Sequence, residues 1–200
     1  MDPVARNILD AAIAEFSELG LAGARVEAIA ARTGTSKGML YYHFGSKEGL
    51  YTAALAESYA RARASLVAPD YDAMAPMDAL RAYVGHLFDL HVKSPQFVRM
   101  VMGENLLRGR FIAQAESVRE ASGRSLDALA AILRRGQANG LMREELQPLD
   151  VYANVVGMCF HFVSNRPTFS ALFEQGVEQE AVTARRRRVI VDAIECQAKV

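Results

Sequence analysis

The chain has 200 residues, of which 51% are hydrophobic and 23% are charged, and its formal net charge is zero. This composition excludes a disordered chain and a protein that is basic throughout, so any surface that binds nucleic acid must be local. No apolar run reaches the length of a membrane span, and residues 1–20 do not resemble a signal peptide. We therefore expect a soluble, cytoplasmic protein.

Nearly every segment has the hydrophobic period of a helix and none alternates as a strand does, which predicts an all-α fold. Asp2-Pro3 is typical of a helix start, and Gly20 of a helix end. The first helix presents one apolar face, which consists of Ile8, Leu9, Ala12, Ile13, Phe16 and Leu19. Short helices over 26–32 and 36–44 follow, separated by a turn at Thr33-Gly34-Thr35. A fourth helix spans 46–66.

The segment APDYDAMAP at 68–76 is the clearest break in the chain. Beyond it the predicted helices span 77–93, 96–108, 112–139 with an interruption near Gly123, 149–165 before Pro167, and 178–198. Cys159 and Cys196 are predicted to be reduced, buried thiols. The run Arg185–Arg188 points in four directions on a helix, which favours a solvated or dimer-rim face over a DNA contact.

The stretch TSKGMLYYHFGSKEGL, 35–50, contradicts several local preferences of helices. Ser36 and Ser46 are typical N-caps, yet each is followed by a lysine, which is the unfavourable charge for a first helical turn. Gly38 lies inside a short helix, where glycine costs about 0.5–1 kcal/mol relative to alanine. These costs are explained if the second helix of a helix-turn-helix binds phosphates and base edges of DNA.

The segment from Ile8 to Leu50 resembles the DNA-binding region of the TetR family of bacterial transcriptional regulators, and GTSKGMLYYHFGSKEGL is its most specific part. The resemblance implies an all-helical homodimer. An N-terminal helix-turn-helix domain, residues 1–50, would bind a palindromic operator. Residues 51–200 would form a larger domain that binds a small-molecule effector and dimerises, and the fourth helix, 46–66, would connect the two.

The resemblance implies DNA contacts at a set of residues in and around the second helix of the motif. This set comprises Arg25, Ser36, Lys37, Gly38, Met39, Tyr41, Tyr42, His43 and Lys47. One position departs from the family, which usually has a threonine before the equivalent of Val26, where its hydroxyl caps the helix and touches a phosphate. Arg25 cannot accept the capping bond, although its guanidinium can still hold a phosphate.

The C-terminal half is less distinctive, and core packing is the plainer interpretation of most of its apolar residues. Polar residues in apolar settings suggest a pocket for a small, largely apolar effector. Its candidate residues are Phe88, His91, Phe97, Met100, Glu104, Met158, His161 and Phe162. An apolar stripe on the last helix predicts a dimer interface. That stripe consists of Val182, Val189, Ala193 and Cys196.

We find no catalytic constellation, metal-ligand spacing or phosphate-binding glycine loop, so no enzymatic activity, cofactor or metal is expected. His86 and His91 are five residues apart and lie on different helix faces. The favoured function is an effector-released repressor. Two alternatives remain: a DNA-binding activator or effector-independent regulator of the same fold, and a helical small-molecule-binding protein or enzyme with a vestigial helix-turn-helix.

Overall fold

A computed structural model describes residues 2–173 and 180–200. Ten α-helices occupy most of these residues, and the prediction of an all-α fold is confirmed. The helices are α1 Pro3–Gly23, α2 Val26–Thr33, α3 Lys37–Phe44, α4 Lys47–Ala64, α5 Pro76–Lys93, α6 Pro95–Leu106, α7 Glu116–Ala138, α8 Pro148–Ser164, α9 Arg166–Phe173 and α10 Glu180–Ala198. A 3-10 turn, Ile112–Gln114, precedes α7.

The described chain divides into two compact units, each made of two segments. The first comprises residues up to 64 together with 94–120, and the second comprises 65–93 and 121–200. This division describes compactness. The predicted assignment of DNA binding to 1–50 and of effector binding and dimerisation to 51–200 concerns function and stays a prediction.

The core of the first unit joins the helix-turn-helix to α1, α4 and α6. Leu40 of α3 is buried, and Phe44 packs partly buried against the same cluster. Around them lie buried side chains of the other helices, including Ile8, Phe16, Ile29, Leu50, Tyr51, Leu55 and Met100. Apart from the half-buried His43, the remaining residues of α3 are exposed, which is the condition for a recognition helix.

Two arginine–carboxylate pairs connect α5 and α10 in the second unit. Arg81 of α5 donates from Nε and Nη2 to the two oxygens of Glu195, each at 2.6 Å. In the second pair the arginine belongs to α10: Nε of Arg187 donates to Oδ1 of Asp89 on α5 at 2.9 Å. Arg187 therefore packs against α5, and its neighbours Arg185 and Arg188 are exposed.

Several sequence predictions about helix ends are corrected by the structure. Gly20 does interrupt α1, with φ of 65°, but a further helical turn follows it to Gly23. Leu19 is 52% exposed, because the buried stripe of α1 ends at Ser17. No interruption occurs at Gly123, since α7 is continuous.

A helix missed by the sequence prediction, α9, spans Arg166–Phe173. The preceding helix, α8, does end before Pro167 as predicted, but Pro167 itself lies in the first turn of α9, where proline costs no intrahelical hydrogen bond. The first two residues of the predicted last helix, 178 and 179, lie outside the described residues. Cys196 is exposed rather than buried, whereas Cys159 is buried as predicted.

Candidate DNA-binding surface and effector residues

The turn between α2 and α3 is held rigid by glycine and threonine. Gly34 is left-handed, with φ of 64° and ψ of 20°, and caps the C-terminus of α2. The Thr33 hydroxyl lies 3.1 Å from the carbonyl oxygens of Ile29 and Ala30, and 2.7 Å from the Thr35 hydroxyl. These contacts fix the direction in which α3 leaves the turn.

The two serines predicted to cap helices do so. The Ser36 hydroxyl accepts a hydrogen bond from the backbone N–H of Met39 at 3.2 Å, and that of Ser46 accepts from Gly49 at 2.9 Å. Arg25, in contrast, gives α2 no side-chain cap. Its backbone N–H donates instead to Glu15 at 3.5 Å, so the guanidinium is not used to begin the helix.

Most of the predicted DNA contacts lie on an exposed face. Tyr42 is 82% exposed, Met39 41% and Tyr41 39%. Arg25, Ser36, Lys37 and Gly38 are also exposed, while His43 and Lys47 are half-buried. This exposed set comes from the start of α2, from α3 and from the start of α4, and we call it the helix-turn-helix surface.

Packing against the described residues does not require a glycine at Gly38. A Cβ added to it would meet only the Ser36 hydroxyl, at 3.7 Å, which is an ordinary contact distance. Among the described residues, therefore, no close packing explains the cost of a glycine within α3.

Two of the basic residues on this surface lie close to carboxylates that were not predicted from the sequence. Lys37 Nζ lies 2.5 Å from Glu27 Oε1. Nε2 of His43 lies 3.5 Å from Oδ2 of Asp2, the residue that also caps α1. Both carboxylates lie outside residues 33–47, a stretch around α3 that contains no aspartate or glutamate. The geometry of a helix-turn-helix, which brings the first turn of α2 near α3, was the signal that could have found Glu27.

The predicted effector residues are divided between the two units. In the second unit, Phe88 and Phe162 are buried and stacked, with ring centres 5.7 Å apart. His91 is buried, its Nδ1 lies 2.7 Å from the Leu87 carbonyl oxygen, and burial lowers its pKa. Met158 is half-buried. His161 is exposed, contrary to the apolar setting predicted for it, because it faces away from the Val155–Cys159 side of α8.

The other three predicted effector residues belong to the first unit. Phe97 packs edge-on against Tyr59, with ring centres 4.7 Å apart, and Met100 is part of the core. Glu104 is 2% exposed, and its Oε1 accepts hydrogen bonds from the backbone N–H groups of Phe111 and Ile112 at 2.7 and 2.9 Å. A partner within the chain thus satisfies that oxygen of Glu104.

Three of the four predicted dimer residues are exposed in the single chain. These are Val189, Ala193 and Cys196, while Val182 is half-buried. The opposite side of α10 carries the buried residues Ile190, Ile194 and Ala198. Within the described residues, most of the predicted stripe is therefore left uncovered.

The described residues contain no cluster of three or more histidine, cysteine, aspartate or glutamate side chains that could hold a metal ion. Among residues 2–173 and 180–200, no helix is both long and apolar enough to cross a membrane.

Comparison with known proteins gives two family matches that together cover most of the chain. Residues 8–54 match "Bacterial regulatory proteins, tetR family", and residues 76–194 match "Tetracyclin repressor-like, C-terminal domain". The HTH-type transcriptional repressor NicS of Pseudomonas putida is 34% identical over 82% of this chain and 78% of its own length. The HTH-type transcriptional repressor SCO4008 of Streptomyces coelicolor is 29% identical over 78% of each chain.

A solved structure shows the same fold at lower identity. A bacterial regulatory protein of the tetR family from Rhodococcus is similar with a TM-score of 0.72 and 20% identity, over 97% of this chain and 98% of that one. Both family matches, the NicS relationship and the helix-turn-helix geometry agree. The chain belongs to the TetR family of bacterial transcriptional regulators.

Proposed function

We propose that this protein is a ligand-responsive transcriptional repressor, which binds a palindromic operator as a homodimer and is released by a small-molecule effector. The observation that carries the proposal is the helix-turn-helix surface, where α3 is exposed around Gly38, a glycine that packing against the described residues does not require. Repression, rather than activation, is supported by the relatives NicS and SCO4008, which are both named repressors.

The chemistry of the helix-turn-helix surface suits DNA. Tyr41 and Tyr42 offer hydroxyl donors, Arg25 and Lys47 offer positive charge, and the start of α3 offers unpaired backbone N–H groups. Without a side chain, Gly38 allows the duplex to approach the backbone closely. We propose that α3 enters the major groove, with its first residues near base edges.

Homodimerisation is supported by apolar surface on α8 and α10, which pack against each other in the second unit. On α8, the exposed residues Leu149, Ala153 and Gly157 recur every four residues and therefore share a face. No described atom lies within 4 Å of the position that a Cβ would take on Gly157. Together with the stripe on α10, this face can form a twofold four-helix interface, and a twofold dimer matches a palindromic operator.

Effector binding is proposed for the apolar part of the second unit around Phe88, His91, Met158 and Phe162. Burial keeps His91 neutral at pH 7, since it lowers a pKa that is ordinarily 6.5. A neutral, buried imidazole suits a small, largely apolar ligand. Release from DNA requires that the effector and the operator favour different conformations, by about 1–3 kcal/mol.

Operator binding can be tested by selecting the sequences that the protein binds from a pool of random duplexes. The stoichiometry and affinity of the enriched sequence would then be measured. A palindromic sequence bound by two chains is expected. Tyr42→Ala should weaken binding, whereas Tyr152→Ala, a half-buried tyrosine of the second unit, serves as the matched control. Failure to enrich any sequence would contradict the proposal.

Effector binding requires a separate experiment. Small hydrophobic metabolites would be screened for an increase in melting temperature, and operator affinity would then be measured at saturation with each hit. We expect a true effector to weaken operator binding by about 5- to 150-fold, the usual allosteric range. A ligand that stabilises the protein and leaves operator affinity unchanged would contradict the proposed release.

A further inference from the structure

The amino group of Lys37 is already engaged in the free protein. Lys37, in the first turn of α3, pairs with Glu27 from the first turn of α2, and its Nζ lies 5.8 Å from the centre of the Tyr41 ring. The side chains of Lys37 and Glu27 are 50% and 65% exposed. A pair this exposed contributes little to the stability of a fold. We therefore consider how the pair affects the contact between Lys37 and DNA.

We infer that Glu27 is a specificity-determining residue, whose carboxylate competes with DNA for Lys37. The inference rests on the operator binding proposed above. Glu27 keeps Lys37 from adding to the general attraction between the protein and any duplex, and gives it up only at a base pair that offers the lysine more than one new acceptor.

The physical basis is the difference between general and sequence-specific DNA binding. General binding comes from positive charges that replace counterions along the phosphates, and it is lost as salt rises. If Lys37 moved from Glu27 to a DNA phosphate, it would exchange one anionic oxygen for another, so the net gain in binding free energy is small. A guanine edge in the major groove offers O6 and N7 together, at the place that the recognition helix reaches.

Glu27 is held in a position that keeps its carboxylate ionised. A carboxylate in the first turn of a helix is stabilised by the positive end of the helix dipole. The hydrogen bond from Lys37 is the largest cause that lowers the pKa of Glu27, and the charges of Lys37 and Arg25 act in the same direction. The competitor is therefore fully charged at neutral pH.

Asp2 holds His43 in a similar way on the same surface, at 3.5 Å. Its carboxylate also accepts a hydrogen bond from the backbone N–H of Val4, at the start of α1. A substitution of Asp2 would disturb α1 as well as His43. Glu27 thus gives the cleaner experiment, since its side chain is exposed and is not needed as a helix cap.

The test compares Glu27→Gln with wild type on the selected operator and on a non-operator duplex of equal length, over a range of salt concentrations. Non-operator affinity is expected to rise about fivefold at 0.15 M salt, and its logarithmic salt slope to steepen by about 0.9, the contribution of one more phosphate contact. Operator affinity is expected to change by a smaller factor, so the ratio of the two affinities falls.

Two further variants separate competition for Lys37 from a general change of charge. Glu48→Gln removes an exposed carboxylate from the first turn of α4 and makes the same change in net charge. In a Lys37→Gln background, Glu27→Gln should raise non-operator affinity no more than Glu48→Gln does. Glu27→Asp, which keeps the charge but draws the carboxylate back, should lie between wild type and Glu27→Gln.

The inference is overturned if Glu27→Gln and Glu48→Gln have equal effects with Lys37 present, or if the effect of Glu27→Gln persists undiminished without it. Wild-type protein that selects no operator would instead overturn the proposed function itself. Melting temperatures of the variants, expected to match that of wild type, would show that these differences arise at the DNA.

Discussion

The residues predicted to touch DNA lie on the surface of the first unit, whereas most of those predicted to hold an effector in the second unit are packed into its interior. Tyr42 is 82% exposed, while Phe88 is 1% exposed. Exposed side chains contribute little to the core, so most substitutions there should leave the fold intact. The buried ones serve folding first, so a substitution there changes stability together with any binding.

The helix-turn-helix and the second unit also differ in how far along the sequence these contacts reach. The Ser36 hydroxyl accepts a hydrogen bond from the backbone N–H of Met39, three residues away, and Glu27 pairs with Lys37, ten residues away. In the second unit, Arg81 meets Glu195 across 114 residues and Arg187 meets Asp89 across 98. The first kind of contact can be inferred from local pattern and the second cannot.

The largest expected effect concerns assembly, and it separates the exposed surface of α10 from its packed side. Ala193→Arg should disrupt the dimer, weakening it about 100-fold, as a charge placed in the centre of an interface does. Ala184→Arg is the matched control, since Ala184 is exposed on α10 but lies off the stripe. Light scattering at several concentrations would measure the mass. If the two variants dimerise equally well, the stripe on α10 is not the dimer interface.

A smaller effect is expected for base recognition by α3. Lys37→Ala should relax the preference at particular base pairs of the operator by about 1–3 kcal/mol, if the lysine meets a guanine edge. A mobility-shift titration over single-base operator variants measures this. Since Lys37 is half exposed, the melting temperature should not change. A loss spread evenly over all sequences would contradict a base-reading role.

Lys47 at the start of α4 is expected to behave differently from Lys37. Lys47→Ala should weaken operator and non-operator duplexes by the same factor, about fivefold at 0.15 M salt, and reduce the salt slope by about 0.9. Lys93→Ala, an exposed lysine of the second unit, is the control. If Lys47→Ala changed the preferred base at any position, the proposed division between the two lysines would be wrong.

This contrast explains which parts of the structure could be predicted from the sequence. The helix-turn-helix follows from local rules: Gly34 requires a positive φ, and Ser36 and Ser46 cap the helices that follow them. Apolar period is enough to predict the all-α fold and to place Leu40 in the core. Each of these inferences uses only residues within a turn or two of one another.

The parts that could not be predicted depend on distant residues. Nothing local distinguishes Arg187 from Arg188, yet one packs against α5 and the other is exposed. Glu104 has the pattern of a ligand residue, but its Oε1 is satisfied by backbone N–H groups of the following segment. The α9 helix is missed because a proline can end one helix and begin another equally well.

The dependence of the second unit on long-range pairs can be tested with two helical glycines. A Cβ on Gly123 would meet nothing within 4 Å, so Gly123→Ala should raise the free energy of unfolding by about 0.5–1 kcal/mol. A Cβ on Gly85 would lie 2.7 Å from Cζ of Arg187 and displace it from Asp89. Gly85→Ala should therefore not raise the free energy of unfolding as Gly123→Ala does. Denaturant titration measures both.

A background without the guanidinium completes this experiment. In Arg187→Ala, the space above Gly85 is free, and Gly85→Ala should recover the stabilisation seen for Gly123→Ala. If Gly85→Ala stabilises the wild-type chain as much as Gly123→Ala does, moving the Arg187 guanidinium has no cost to the stability of the unit.

The smallest effect is the pH dependence of the Arg81–Glu195 pair. Hydrogen bonding from Arg81, supported by Lys199, lowers the pKa of Glu195 to about 2 from an ordinary value of 4.5. Because the folded-state pKa is the lower one, the stabilisation is complete above pH 4.5 and is lost as the pH falls towards 2. Glu195→Gln should thus lower the melting temperature at pH 7, and the difference from wild type should shrink below pH 4.5.

The control for this prediction is Glu145→Gln, which removes a carboxylate whose pair with Arg143 is more exposed. Exposed pairs contribute little, so this variant should melt with the wild type at every pH. A difference between Glu195→Gln and wild type that stayed constant from pH 7 to 3 would show that the glutamate acts through packing rather than charge. The long-range pairs of the second unit would then connect their helices through packing, unlike the charged residues on the surface of the first unit.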